Sequence, residues 1–244
     1  GKGRMIDFDD SIIKNLPRET LNAMHDAGER VVECHRVLSK SGDNLVGELL
    51  KGVETFFEWS HYPEGDVYDQ DSHSQYYYHA HPPEERSNEH GHFHTFLRPD
   101  GMPAGVKPAL VVDYAPPKDP DDALSHLIAI SMDSAGLPIK IFTTNRWVTG
   151  EIWYDAANVK KMLPCFDIDH AKPSWPVNIW LTSMLMLFRP QIQMLIDARD
   201  AVVDAWAASH PEEIVYEDRS LEVTTEMMID VDSQIKLLRK CLSD

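Results

Sequence analysis

Histidines alternate with strand-forming residues in two short stretches between residues 74 and 97. The first stretch reads SQYYYHAH and ends at His81, and the second reads HGHFHTFL and begins at His90. Residues two positions apart point to the same face of a β-strand, so each stretch places its histidines on one face. Tyrosine and phenylalanine also favour strands, and Pro82-Pro83 ends the first stretch because proline cannot donate to a β-ladder. The pattern therefore predicts two strands that each carry a histidine face.

The loop PPEERSNE allows the two strands to pair as an antiparallel hairpin, and the apolar residues select the register. Phe93 and Leu97 need the same core face as Tyr76 and Tyr78, which leaves the histidines on the other face. This register pairs His81 with His90, His79 with His92, and Tyr77 with His94. A shift of one residue would separate the two histidine groups. The in-phase register predicts that all five histidines lie on one side of the hairpin.

Imidazoles that share one ribbon face can converge on a metal ion. Opposite Cβ atoms lie about 5 Å apart and same-face neighbours about 6.6 Å apart, and metal–nitrogen bonds are about 2.0–2.2 Å long. We therefore predict a metal site with three or four ligands from the set His79, His81, His90, His92 and His94. The remaining histidines would support the ligands or bind substrate. The alternatives are a solvated or structural polar face and a proton-relay or pH-sensing cluster.

The donors near this face are nitrogen and oxygen atoms. Cys34, Cys165 and Cys241 are scattered and lack CxxC spacing, which predicts neither a disulfide framework nor a thiolate zinc ribbon. Asp66 and Glu89 are among the carboxylates close to the histidines in sequence. Imidazole combined with carboxylate suits several divalent transition metals. We expect iron first, with zinc or copper as the alternatives.

Part of this stretch resembles the first metal motif of the cupin metalloenzymes. Residues 79–85, HAHPPEE, contain the pattern HxHxxxE, whose two histidines and glutamate bind the metal in that family. Residues 99–101, PDG, match the PxG of the later cupin motif, which supplies a further histidine. No histidine follows this PxG at the spacing of that family, so His126 or His92 would have to substitute for it. The resemblance covers seven residues, so it implies metal chemistry and not the cupin fold.

Helical and extended patterns divide the chain into three segments. Apolar spacing typical of helices occurs on both sides of a middle segment that alternates or is rich in turns. The predicted segments are an N-terminal helical hairpin at 5–58, a histidine-rich sheet at 59–150 and C-terminal helices at 151–244. We therefore expect one α+β domain over residues 1–244, with a small antiparallel sheet of about four or more strands.

Further elements are predicted outside the two histidine stretches. Residues 59–73 are rich in turn formers, and 124–132 and 138–144 alternate as two further strands of a hairpin. A long helical pattern runs from Trp175 to about Ser209, with Pro190 as a kink or a restart. The last helix is predicted from Leu221 to Leu242.

Two residues are candidates for acting on a substrate. Tyr77 shares the predicted histidine face and could hydrogen-bond a metal-bound oxygen or act as an acid; the alternative is packing at the ribbon edge. Arg146 follows the fourth strand among polar residues, where a guanidinium suits a carboxylate or phosphate on a small substrate. The alternative for Arg146 is a helix cap with a surface ion pair.

Net charge and hydropathy limit the partners and the cellular location that the sequence predicts. The net charge of −17 disfavours nucleic acid and anionic membranes as partners. The longest apolar run, residues 179–188, is shorter than the ~20 residues that span a bilayer, and GKGRMIDFDD contains no apolar signal segment. We expect a cytoplasmic metal-dependent enzyme with a small-molecule substrate, most of all an Fe(II)-dependent oxygenase. The alternatives are a zinc-dependent hydrolase or lyase and a non-enzymatic copper- or nickel-binding protein, and the Met-rich C-terminal helices suggest a homodimer.

Overall fold

One seven-stranded sheet organises the computed structural model, which describes residues 3–51, 61–80 and 88–244. The strands are β1 (Arg4–Met5), β2 (His61–Tyr68), β3 (Ser74–Ala80), β4 (Gly91–Leu97), β5 (Ser125–Met132), β6 (Pro138–Thr144) and β7 (Val223–Met228). Their order across the sheet is β1-β7-β6-β5-β4-β3-β2. Neighbouring strands pair antiparallel, except for the parallel pair β1 and β7. The α+β class is confirmed, and the sheet is larger than predicted.

The described residues also form eight α-helices. They are α1 (Ser11–Lys14), α2 (Arg18–Lys40), α3 (Leu45–Leu49), α4 (Arg146–Thr149), α5 (Ala156–Met162), α6 (Trp175–Leu187), α7 (Arg189–Ser209) and α8 (Val231–Ser243). The chain restarts at Arg189-Pro190 and bends by 72° between α6 and α7, because proline lacks the N–H that would continue the helix. Asn44 caps α3 by accepting a hydrogen bond from the Gly47 N–H.

The sequence does not predict three of the strands, β1, β2 and β7. Residues 61–68 were expected to be turns but form β2, whose pairing with β3 is irregular between Tyr62 and Val67. This irregularity breaks the period of two in the sequence. Residues 223–228 were expected to begin the last helix but form β7, which pairs with β6. There, sheet pairing overrides the helical spacing of the apolar residues. The second helix of the N-terminal hairpin is described only as far as α3, and residues 52–58 lie outside the described residues.

The α6 helix covers one face of the sheet. The Tyr76 hydroxyl on β3 donates a 2.6 Å hydrogen bond to Asn178 Oδ1 on α6, and the Phe93 ring on β4 lies 5.6 Å from the Trp180 ring. All four side chains are buried. Because successive strand residues point to opposite faces, the neighbours of Tyr76 and Phe93 in β3 and β4 point away from α6.

The apolar C-terminal helices pack inside the chain. Met184, in the Met-rich stretch of α6, is 1% exposed. A homodimer through these helices stays a prediction. In the described part of the chain, no single helix is long and apolar enough to cross a membrane, whereas α6 and α7 taken together pass that test by length and composition only.

Candidate metal centre

The predicted register of the histidine hairpin is confirmed for the residues that the structure describes. His79 pairs with His92, and Tyr77 pairs with His94. These four side chains lie on the sheet face opposite α6, which we call the histidine face. The predicted partner of His90, His81, lies outside the described residues, as does Glu85 of the cupin-like motif.

His90 leaves the histidine face. It precedes the first residue of β4, and its Nδ1 lies 2.8 Å from the Tyr78 hydroxyl, on the α6 side of the sheet. Gly91 permits this contact, because a Cβ there would come within 2.6 Å of the same hydroxyl oxygen. The expectation that all five predicted histidines share one side is therefore wrong for His90.

Two histidines from other strands join the face instead. His61 on β2 pairs with His79, and His126 on β5 pairs with Phe96. We call the five rings of His61, His79, His92, His94 and His126 the histidine cluster. The distances between neighbouring ring centroids are 6.0 Å for His61–His79, 5.6 Å for His79–His92, 4.6 Å for His92–His94 and 5.0 Å for His94–His126. The cluster thus crosses four adjacent strands.

A β-bulge brings His126 into the cluster. Between the pairs His94–Ala129 and Phe96–His126, β5 contains one more residue than β4, and such bulges redirect side chains. The Thr95 hydroxyl satisfies the backbone of the bulge, since it accepts from the Ile128 N–H (3.2 Å) and donates to the Ile128 carbonyl (2.8 Å). Alternation alone could not have assigned His126 to this face, although the cupin-like motif had pointed to it.

Burial keeps the inner part of the cluster neutral. His94 is 1% exposed and His126 is 3% exposed. Burial lowers the pKa of His126 to about 3, with further lowering by Arg199 and His92, and it holds the pKa of His94 well below its usual range. Neutral imidazoles offer the lone pairs that a metal needs, so no proton has to leave before an ion binds.

One hydrogen bond links the tautomers of His94 and His126. His94 Nδ1 lies 2.8 Å from His126 Nε2, and between two neutral rings one nitrogen must donate and the other accept. If His94 donates through Nδ1–H, its Nε2 keeps a lone pair for a metal. His126 is then the partner that orients the ligand, as hydrogen-bonded neighbours of metal-binding histidines do.

A carboxylate lies beside His92. Glu89 Oε1 is 3.5 Å from His92 Nδ1, and both side chains are buried. This arrangement matches the carboxylate–histidine pairs that hold metal-ligating imidazoles in place and leave Nε2 toward the ion. Glu89 was among the carboxylates expected near the site.

Aromatic rings line the cluster. The Tyr77 ring is stacked on His61 with 3.7 Å between centroids and lies 5.7 Å from Phe96. The Phe142 ring on β6 lies 5.3 Å from His92. Burial raises the pKa of Tyr77 far above its usual range, so its hydroxyl stays protonated at neutral pH. Tyr77 therefore lies on the face where it was predicted, as a neutral hydrogen-bonding group.

The comparisons with known proteins give one match. A family profile described as "Domain of unknown function (DUF6969)" matches residues 25–229, which is most of the chain. The chain belongs to the DUF6969 family. All five residues of the histidine cluster lie inside the matched range. No curated protein and no solved structure matches.

Arg146 has a structural role in this DUF6969 chain. Its guanidinium donates to both carboxylate oxygens of Asp113 (2.9 and 2.6 Å) and to Glu217 (2.7 Å). Asn145 caps α4 by accepting from the Arg146 N–H. This is the arrangement expected under the alternative of a helix cap with an ion pair. A role for Arg146 in substrate binding stays a prediction, and any substrate anion would compete with two carboxylates.

A second group of candidate ligands lies outside the histidine face. One ligand atom each from His73, Asp100 and Asp121 lies within 4.8 Å of the others; among the described residues this group meets that distance, whereas no three members of the histidine cluster do. The Tyr68 hydroxyl orients His73 by a 2.6 Å contact with Nδ1. No sequence spacing indicates this group, because His73 lies in the connection between β2 and β3, and the two aspartates lie far apart in the connection between β4 and β5.

Proposed function

We propose that this chain is a metal-dependent enzyme with a mononuclear, non-haem, histidine-rich centre that acts on a small organic molecule. The observation that carries the proposal is the run of neighbouring imidazoles His79, His92 and His94 on one face of two paired strands, with ring centroids 5.6 and 4.6 Å apart and the His94 imidazole held neutral by burial. These three residues are the proposed ligands. His81 stays a candidate ligand from the sequence.

The exposure of the cluster changes along its length, which supports access by a substrate. The His61 side chain at the β2 edge is 48% exposed, whereas the side chain of His92 is 5% exposed. A molecule would therefore approach from the β2 edge, past His61 and the stacked Tyr77. The Tyr77 and Phe96 rings supply an apolar wall on this path, and the Phe142 ring on β6 lies beside His92 on the far side of the cluster; small-molecule sites are lined in this way.

Oxygenase chemistry at Fe(II) is the first choice within this proposal. The ligand set is imidazole with carboxylates nearby, which suits iron that keeps open positions for substrate and oxygen. The protonated Tyr77 hydroxyl would act as a hydrogen-bond donor beside the ion. Zinc-dependent hydrolysis or lyase chemistry is the second choice, because the same ligands would lower the pKa of a zinc-bound water.

The alternative to an enzyme is a protein that binds copper or nickel without catalysing a reaction. The near-complete burial of His92, His94 and His126 favours it, because a storage or transport site fills its coordination sphere with protein ligands. The coordination number would decide, since a catalytic site keeps a position open for water or substrate.

The test of the metal centre is metal content, measured by plasma mass spectrometry on freshly purified protein. We expect about one equivalent of iron, lost in His92→Ala. His73→Ala tests the separate group with Asp100 and Asp121: this variant should keep its iron, and loss of iron in it instead would place the ion at that group. His90→Ala is the informative comparison: the sequence predicts His90 as a ligand, whereas its contact with Tyr78 predicts that the variant keeps its metal.

The outcomes separate the candidate functions. Iron followed by oxygen-dependent turnover of a substrate supports the oxygenase, and turnover that persists under strict anaerobiosis excludes it. Zinc supports the hydrolase or lyase, and copper or nickel without an open coordination position supports the binding protein. Protein that binds no metal, even after reconstitution, would refute the proposal.

A further inference from the structure

A buried carboxylate lies behind the histidine cluster. Glu151 follows α4 and is 3% exposed. We propose that Glu151 is a positioning residue of the metal centre, which acts through His126 on His94. This inference rests on the proposed metal function, and it assigns the group that sets the geometry of the inner ligand.

The backbone of His126 needs a partner outside the sheet. The last residue pair between β5 and β6 on that side is Ala129 with Phe142, so His126 lies beyond this ladder. Its N–H donates instead to Glu151 Oε1 over 3.1 Å. The sheet therefore does not hold His126 on its β6 side, and the carboxylate takes that role.

Glu151 is itself held firmly. Its other oxygen accepts from the Thr149 hydroxyl over 3.1 Å, and the next residue, Ile152, donates its N–H to the Leu124 carbonyl over 3.0 Å. These bonds fix both the carboxylate and the backbone that carries it. A rigid support of this kind is what keeps a functional side chain in its productive position.

A buried arginine acts electrostatically on this carboxylate, although its own hydrogen-bonded ion pair is with Asp200. Arg199 is 3% exposed, donates to the Tyr154 carbonyl over 2.6 Å, and lies over the Trp153 ring at 3.8 Å. Burial raises the pKa of Glu151 to about 7, and the positive charge of Arg199 opposes this rise. The role of Glu151 requires an acceptor oxygen opposite the His126 N–H, and an uncharged amide oxygen at the same position would also supply it.

The fixed backbone of His126 in turn sets the contact between its ring and the ring of His94. The bulge fixes one side of His126 through Thr95 and Ile128, and Glu151 fixes its N–H. With the backbone fixed, His126 Nε2 meets His94 Nδ1 at 2.8 Å. When His94 donates through Nδ1–H in this contact, its Nε2 keeps the lone pair that an ion needs, and a fixed His126 holds that arrangement in place.

The experiment titrates metal-free protein with cobalt(II) alone and follows the visible absorption of the bound ion. Glu151→Leu removes the acceptor, and we expect cobalt affinity to fall about 10–100-fold, with an altered spectrum. Glu151→Gln keeps an acceptor oxygen and should bind nearly as the wild type does. Glu226→Gln is the matched control: Glu226 is also a buried carboxylate of this sheet, paired with Lys140, and its loss should leave cobalt binding unchanged.

A second measurement separates this inference from the proposed function. Long-range proton–nitrogen NMR spectra of the metal-free protein report the tautomer of each imidazole. We expect the His94 tautomer to change in Glu151→Leu and to be retained in Glu151→Gln. If the wild type binds no cobalt but the tautomer changes as expected, the positioning role stands and the metal function fails.

Equal cobalt affinity and an identical spectrum in Glu151→Leu and the wild type would overturn the positioning role. If Glu151→Leu does not fold, Thr149→Val carries the test, because it loosens the same carboxylate without removing it. Weaker cobalt binding in Thr149→Val would then support the inference, and unchanged binding would overturn it.

Discussion

Tyr76 and Tyr77 are adjacent in the sequence and lie on opposite faces of the sheet. The Tyr76 hydroxyl donates to Asn178 on α6, whereas the Tyr77 ring stacks on His61 in the histidine cluster. The two residues differ in what their hydroxyls do: one completes a buried hydrogen bond of the core, and the other is proposed to serve the site.

A pair of hydroxyl deletions tests this assignment. Tyr76→Phe leaves the buried Asn178 carbonyl oxygen without its donor, so we expect the free energy of unfolding to fall by about 1–3 kcal/mol. Tyr77→Phe keeps its ring contacts and should change stability less. Urea unfolding of the two variants and the wild type gives the comparison. An equal loss in both variants would contradict the assignment of the faces.

Individual residues show which parts of the site can be predicted from the sequence and which cannot. The alternation of His79 with Tyr78, and of His92 with Phe93, was enough to predict their pairing, because a one-residue slip would bury the wrong face. The place of His90 was not predictable in the same way. It lies just outside β4, where the pleat no longer dictates the direction of a side chain, and its contact depends on the missing side chain of Gly91.

At the scale of elements, the β5 bulge decides the composition of the cluster. It inserts a residue between Ala129 and His126, so these two share a face although they are three positions apart. A period of two read from the sequence places them on opposite faces. The irregular pairing inside β2 also breaks the period of two, so the sequence pattern does not indicate that strand. The strands β3, β4, β5 and β6 are predictable from the sequence, whereas β2 and the bulge inside β5, which complete the site, are not.

The bulge gives a prediction at this scale. Thr95→Val removes the hydroxyl that pairs with both backbone groups of Ile128 and leaves them buried, at a cost of about 1–3 kcal/mol of stability. We also expect weaker cobalt binding, because the bulge positions His126. Thr95→Ser keeps the hydroxyl and is the control for both effects. Urea unfolding and cobalt titration measure them, and cobalt affinity that is unchanged in Thr95→Val would disprove the link between bulge and site.

At the scale of the whole molecule, the site depends on contacts between distant parts of the chain. The cluster draws residues from β2 to β5, Glu151 reaches His126 from 25 residues away in sequence, and Arg199 arrives from α7. Local patterns predicted the histidine hairpin and the helices on both sides of it. They carried no information on which distant carboxylate or arginine would support it, because such neighbours are set by the packing of the complete chain.

Because the proposed ligands come from two strands, an ion should stabilise the folded state as a whole. A ligand that binds only the folded chain adds about 2.7 kcal/mol at one hundred times its dissociation constant, which corresponds to roughly 5–10 °C in the unfolding temperature of a chain of this size. We expect zinc or cobalt(II) to produce a rise of this order, reduced by any binding to histidines of the unfolded chain. Calorimetry with and without a chelator measures it.

The variants locate the stabilising site. His92→Ala should abolish the rise in unfolding temperature, because it removes a proposed ligand at the centre of the cluster. His73→Ala should retain the rise, since His73 belongs to the separate group with Asp100 and Asp121. The opposite pattern would place the stabilising ion at that second group. It would also remove the thermodynamic support for the histidine face as the metal centre, because an ion that stabilises the fold must bind the residues whose loss abolishes the effect.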